Sequence, residues 1–267
     1  MAAHQCLEKP RNAPKNWQAS AQKLVAAFVS GSEKEQVFLW SALLEQGAQV
    51  VPFLVAALHQ EQNPETRCRI ISALWETKDQ RAVDPLLDCL GDPHEKVRAY
   101  AACGLGWLQD NRSIPALMNC LNDPQLRVRW FAAIALERFG RVVVETLRTA
   151  LRDPRTMVRV GAANILGWMM NSRSVDALVA ALDDDDEFVR MQAAAALGWS
   201  RDVRAIAPLT RLIDDKSEWT RYVAIQALAD IGDQQVIEPL NAALNSPHIR
   251  VQEAADQALR RLADTRL

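Results

Sequence analysis

One segment recurs along this chain at a nearly fixed interval. Its copies open at Gln62, Pro93, Pro124, Pro154, Asp185, Lys216 and Pro247, at spacings of 31, 31, 30, 31, 31 and 31 residues. Self-similarity at such a period belongs to repeat arrays, in which one supersecondary unit stacks on the next. Read from Pro93, the unit is Pro-His-Glu-Lys-Val-Arg, then Ala101, Ala102, Leu105 and Gly106, then a short polar turn, then a second apolar stretch with Ile114, Leu117 and Leu121. Both halves carry helical periodicity, so each unit is a helical hairpin. A hairpin of this size cannot bury its apolar face alone and must lean on its neighbours, which predicts an all-α solenoid of about eight hairpins, the last incomplete.

Apolar residues make up 49% of the chain, with 10 Gly and 12 Pro, enough to line a core along a helical stack. A repeat array is quasi-one-dimensional, so residues 16–267 are expected to form a single domain. Residues 1–15 hold Lys9, Pro10, Arg11, Pro14 and Lys15 without periodicity and read as a flexible tail. The pattern predicts a capping helix over 16–31 and a degenerate first repeat with helices over 33–46 and 49–60. First helices of the regular repeats are expected over 64–77, 94–108, 125–138, 155–170, 186–199, 217–230 and 248–263. Second helices are expected over 80–90, 112–121, 141–152, 173–182, 203–213 and 234–244. The pairs Asp92-Pro93, Asp123-Pro124 and Asp153-Pro154 read as an N-cap followed by proline at the first helical position.

Six residues after the acid that opens each repeat stands an arginine: Glu61 with Arg67, Asp92 with Arg98, Asp123 with Arg129, Asp153 with Arg159, Asp184 with Arg190, and Asp215 with Arg221. An arginine stripe matches phosphate geometry. Here acids compensate it one for one, which argues for a structural ladder within or between neighbouring turns.

These residues carry a resemblance. Asp-Pro-x-x-x-Val-Arg, then Ala-Ala, then Leu-Gly resembles the HEAT repeat. The form Ala195-Ala196-Leu197-Gly198 resembles more narrowly the HEAT-like repeats of the phycobilisome lyase group. The resemblance implies an all-helical superhelix with second helices lining a concave side. Some members of that group are one half of a two-subunit lyase that attaches a bilin to a phycobiliprotein, or help to dismantle phycobilisomes, and others only hold partner proteins. The partner implied is therefore a protein, a phycobiliprotein or a second HEAT-repeat subunit among the options, with a bilin as cofactor only under the lyase reading.

Net charge is −2, from 31 basic and 33 acidic residues, so no global field attracts nucleic acid or an anionic membrane. The first apolar run, Leu24 to Val29, is too short to cross a bilayer, and five cysteines in no framework spacing fit a reducing compartment. A cytoplasmic protein is expected. Cys89 and Cys120 share one repeat position and read as a small core slot. No catalytic constellation stands out among His4, His59, His94 and His248. Iron-binding HEAT-like hydroxylases use repeated His-Glu pairs, whereas the equivalents of His94-Glu95 are Gln125-Leu126, Arg155-Thr156 and Asp186-Glu187. The acidic run Asp183–Glu187 lacks the glycine and distal glutamate of a calcium loop. Neither a catalytic residue nor a metal site is predicted.

Aromatic placement departs from a bland solenoid. Of eight tryptophans, Trp107, Trp168 and Trp199 follow Leu-Gly at one repeat position. A second row, Met157, Phe188 and Trp219, lies three residues into the expected first helices, with Trp130 at another outward slot. Such rows are either contact surface or packing between repeats. On the second helices the strip outside the core includes Leu87, Met118, Arg148 and Val179 among residues of mixed charge, which suits a protein surface and lacks the basic aromatic groove that nucleic acid needs. The chain is accordingly expected to be a non-enzymatic scaffold that holds protein partners through this strip and the tryptophan rows.

Overall fold

The structure, a computed structural model, describes residues 17–31, 33–170 and 172–264, so the expected tail over 1–15 lies outside the described residues. Helix makes up 81% of the described residues. It is an all-α solenoid, and no strand occurs among the described residues. It divides into two compact units, one ending at Arg138 and the other opening at Phe139. That division lies inside the single 30-residue interval, from Pro124 to Pro154, and just after Glu137, which stands where other repeats carry Gly106, Gly167 and Gly198.

The first unit contains α1 (Trp17–Ser30), α2 (Glu33–Gln46), α3 (Val51–Gln60), α4 (Pro64–Glu76), α5 (Val83–Cys89), α6 (Glu95–Leu108), α7 (Ile114–Cys120) and α8 (Leu126–Glu137). The second contains α9 (Val144–Ala150), α10 (Thr156–Trp168), α11 (Val175–Ala181), α12 (Glu187–Ser200), α13 (Ile206–Arg211), α14 (Glu218–Ile231), α15 (Ile237–Ala243) and α16 (Ile249–Asp264). Long first helices pack on one another, α4 on α6 and α6 on α8 in one unit, α10 on α12, α12 on α14 and α14 on α16 in the other.

The helices start later than the Asp-Pro pairs suggest. Asp92, Asp123 and Asp153 do not cap α6, α8 and α10, whose flanking residues are His94, Gln125 and Arg155. Each aspartate instead accepts from the N–H two residues on, at 2.8 Å to His94, 2.9 Å to Gln125 and 2.9 Å to Arg155. This Asx turn uses the fixed φ of the intervening proline and delays the helix by two residues. The second helices are also shorter than expected. Most enter through a 3-10 turn held by an Asp-x-Arg or Asp-x-Gln clip, such as Asp202, whose carboxylate accepts from the Arg204 N–H at 3.0 Å and the Arg204 guanidinium at 2.7 Å.

The Leu-Gly pair of the motif has a packing cause. A Cβ on Gly106 would lie 2.6 Å from the Ala135 Cα, one on Gly167 2.7 Å from the Ala196 Cβ, and one on Gly198 2.7 Å from the Ala227 Cα. Successive first helices therefore meet at glycine against alanine, a backbone approach that no larger pair permits. Cys89 and Cys120 are buried in this core as expected, and burial pushes both thiols up to about 11.

Candidate functional site

The acid–arginine ladder is the most regular chemistry in the molecule, and its connectivity differs from a simple same-repeat pairing. Arg98 donates one arm to the Asp92 carbonyl at 2.9 Å, in its own repeat, and its fork to the Asp123 carboxylate of the next repeat at 2.8 and 3.0 Å. Arg159 does the same with the Asp153 carbonyl and the Asp184 carboxylate, as does Arg190 with the Asp184 carbonyl and the Asp215 carboxylate. Arg67 reaches Asp92 at 2.8 Å. Arg129 holds the Asp123 and Pro124 carbonyls, while the Asp153 carboxylate is clipped by Arg155. These forks are mostly buried, so the ladder joins repeats and presents little to a ligand.

The Leu-Gly tryptophans have divided roles. Trp107 is 53% exposed, with the Arg138 guanidinium carbon 3.4 Å from its ring centroid. Trp199 is 40% exposed, yet a Cβ on Gly167 would come within 3.0 Å of its ring, so it covers the edge of the preceding repeat. Trp168 is half-buried. The Trp107 slot therefore packs between repeats at least at Trp199 and couples to a neighbouring arginine at Trp107.

The other row is more open. Met157, Phe188 and Trp219 are each the second residue of α10, α12 and α14, three helices that pack side by side within the second unit. Phe188 is 53% exposed and Trp219 59%, while Met157 is half-buried. One turn further along the same helix faces stand Val160, Met191 and Tyr222, half-buried to exposed. Tyr222 escaped the sequence reading, although its repeat equivalents are Trp130, Val160 and Met191 and a count of i, i+3 neighbours of Trp219 would have found it. The residues leading into these helices are of mixed charge, with exposed Arg152, Asp183, Asp185, Asp214, Lys216 and Glu218, the last paired to Arg250 at 2.9 Å. Trp130 is half exposed on α8 in the first unit, where Leu126 and Tyr100 are also exposed.

The strip on the second helices offers less. Met118 is 8% exposed, Leu87 and Val179 are half-buried, and Arg148 is tied to Glu145 at 2.9 Å. Among the described residues no three His, Cys, Asp or Glu side chains could together hold a metal ion. His94 flanks α6, its Nδ1 accepting from the Lys96 N–H at 3.2 Å. An open cleft of about 550 Å³ lies between α1 and α3, lined by Val25, Val29 and Phe53 with Gln22 and Gln60 at its edge. Among the described residues no single helix is long and apolar enough to cross a membrane.

Helical hairpins at this period, glycine-on-alanine contacts and a repeat-to-repeat arginine fork are accompanied by a sequence match to HEAT repeats over residues 51–137, 116–198, 144–221 and 207–266. The chain belongs to the HEAT-repeat family. No curated protein matches this HEAT-repeat chain by sequence. Among solved structures it is similar to the complex of CpcE and CpcF of phycocyanin lyase from Nostoc sp. PCC7120, with a TM-score of 0.52 and 23% identity over 56% of this chain and 99% of that one. YibA of Escherichia coli aligns with a TM-score of 0.49 and 20% identity over 96% of this chain and 99% of that one. Human deoxyhypusine hydroxylase aligns with a TM-score of 0.42 and 18% identity over 92% of this chain and 97% of that one. The likeness to the CpcE and CpcF complex is one of fold.

Proposed function

We propose that this HEAT-repeat protein is a non-enzymatic scaffold whose binding surface is the ridge of Met157, Phe188, Trp219 and Tyr222 on the first helices of the second unit. The observation that carries the reading is the exposure of large apolar side chains at one repeat position on successive, mutually packed helices. Exposed apolar surface of this kind marks partner sites and favours a protein segment that offers large apolar anchors. The test is co-purification from the native host with wild type, a Phe188→Ser/Trp219→Ser variant and a Leu87→Ser/Val179→Ser variant. Partners lost by the ridge variant alone, at an unchanged melting temperature, are the expected result. Partners lost only by the second variant would place binding on the second-helix strip.

A second reading, a subunit of a phycobilin lyase or a phycobilisome-degradation factor, is favoured by the likeness in fold to CpcE and CpcF and by exposed tryptophans able to stack on a tetrapyrrole. Saturable quenching of tryptophan fluorescence by a bilin, with a matching change in bilin absorbance, is its signature. Absence of both in the presence of a co-purified partner removes it.

A further inference from the structure

Repeat position makes one face of the first unit complementary to itself. Residues 31 apart are neighbours on successive first helices, as the Arg138 guanidinium lying over Trp107 demonstrates. The row through Trp107 therefore runs from Glu76 on α4, through Trp107 on α6, to Arg138 at the end of α8: an acid, a large ring and a base, in that order. Glu76 and Trp107 are exposed and Arg138 is half-buried. Gln109 donates to the Arg138 carbonyl at 2.5 Å, so the arginine is fixed at its backbone and laid flat on Trp107, and among the described residues its guanidinium donates no hydrogen bond. Two turns back along the same helices the row is Arg69, Tyr100 and Phe131, with Tyr100 37% exposed and its flanks half-buried. In the second unit the equivalent rows are Trp168, Trp199 and Asp230, and Gly161, Gln192 and Val223, and neither repeats this order.

We infer that this face of α4, α6 and α8 binds a second copy of the same chain across a two-fold axis lying along α6. Such an axis sets Trp107 against its own counterpart, and Tyr100 likewise, and brings α4 of each copy over α8 of the other with their ends in step. Glu76 of each protomer then meets Arg138 of the other, whose unused donors match a carboxylate, and Arg69 meets the Phe131 ring. Both flanking charges of the row are complemented, twice over. Three helices packed about 10 Å apart give a face about 20 Å wide, at the low end of specific interfaces, so the dimer is a weak one, with a dissociation constant in the micromolar range. The surface is separate from the ridge of the second unit.

The experiment is sedimentation velocity of the full chain over about 1–200 μM. The samples are wild type, Glu76→Arg, Arg138→Glu, an equimolar mixture of those two, and the ridge variant Phe188→Ser/Trp219→Ser. Wild type should pass from monomer to dimer across this range. Each single variant sets like charges together at both contacts and should raise the dissociation constant at least about tenfold. The mixture should dimerise as wild type does, because in the mixed dimer each introduced charge faces its opposite. The ridge variant should also dimerise normally. A wild type that stays monomeric, single variants that dimerise normally, a mixture that fails to recover, or a dimer lost in the ridge variant overturns the inference. Should Arg138→Glu fold poorly, Glu76→Arg, on an exposed side chain, decides alone.

Discussion

A guanidinium shared between the carbonyl of its own repeat and the carboxylate of the next is a two-ended fastener, and both ends can be tested. Arg159→Ala removes the bond to Asp153 and strands the Asp184 carboxylate on a single N–H, so it should lower stability by about 1–3 kcal/mol in denaturant unfolding while leaving ridge-mediated binding intact. Acid tests the carboxylate end. Burial raises the Asp215 carboxyl, but the Arg190 fork and the Ser217 N–H outweigh it and hold the group below its ordinary value of 3.8. A carboxylate with a depressed folded pKa stabilises above the unfolded value and loses that contribution as pH falls through the folded one. Asp215→Asn should therefore be less stable than wild type at neutral pH, with the gap closing as pH drops below 3.8. The two tryptophan environments also separate at this scale. Trp199→Ala exposes the Gly167 backbone and should destabilise by about 1–3 kcal/mol, whereas Phe188→Ala, open to solvent, should leave melting nearly unchanged and be felt only in partner affinity.

At the level of helices, spacing sets what could be read in advance. The first helices lie within two residues of their expected bounds, because the apolar period and the polar turns fix them. The entry geometry was hidden: Asp-Pro can open a helix or an Asx turn, and only the tertiary position of the following arginine selects the second. The ladder was half legible for a related reason. With a repeat of 31, an acid six residues before an arginine implies another 25 residues after it, and sequence spacing cannot choose between them. The structure chooses both, carbonyl behind and carboxylate ahead. The ridge was named through Phe188 and Trp219, but its breadth, including Tyr222, emerges only when helical neighbours are counted across adjacent repeats. Close helix contact makes a sharp prediction here. Gly198→Ala would set a methyl 2.7 Å from the Ala227 backbone and should destabilise the α12–α14 contact by about 1–3 kcal/mol, measured by thermal or urea unfolding, although alanine is the better helix former.

Over the whole molecule, nearest-neighbour contacts replace a central core, and circular dichroism should report helix with minimal strand signal. The buried, raised thiols of Cys89 and Cys120 should resist alkylation until the stack opens, so their labelling rate tracks unfolding of the first unit. The forward-leaning ladder has a further consequence for how such a chain can change length across generations. A block from Asp185 to Asp215 carries Arg190, which looks ahead for an aspartate, and ends on Asp215, which answers the arginine behind it. Duplicating or deleting that block in frame leaves the Arg159 fork, and every copy of the Arg190 fork, facing an aspartate, so this stretch of the array can grow or shrink by whole repeats without a compensating substitution.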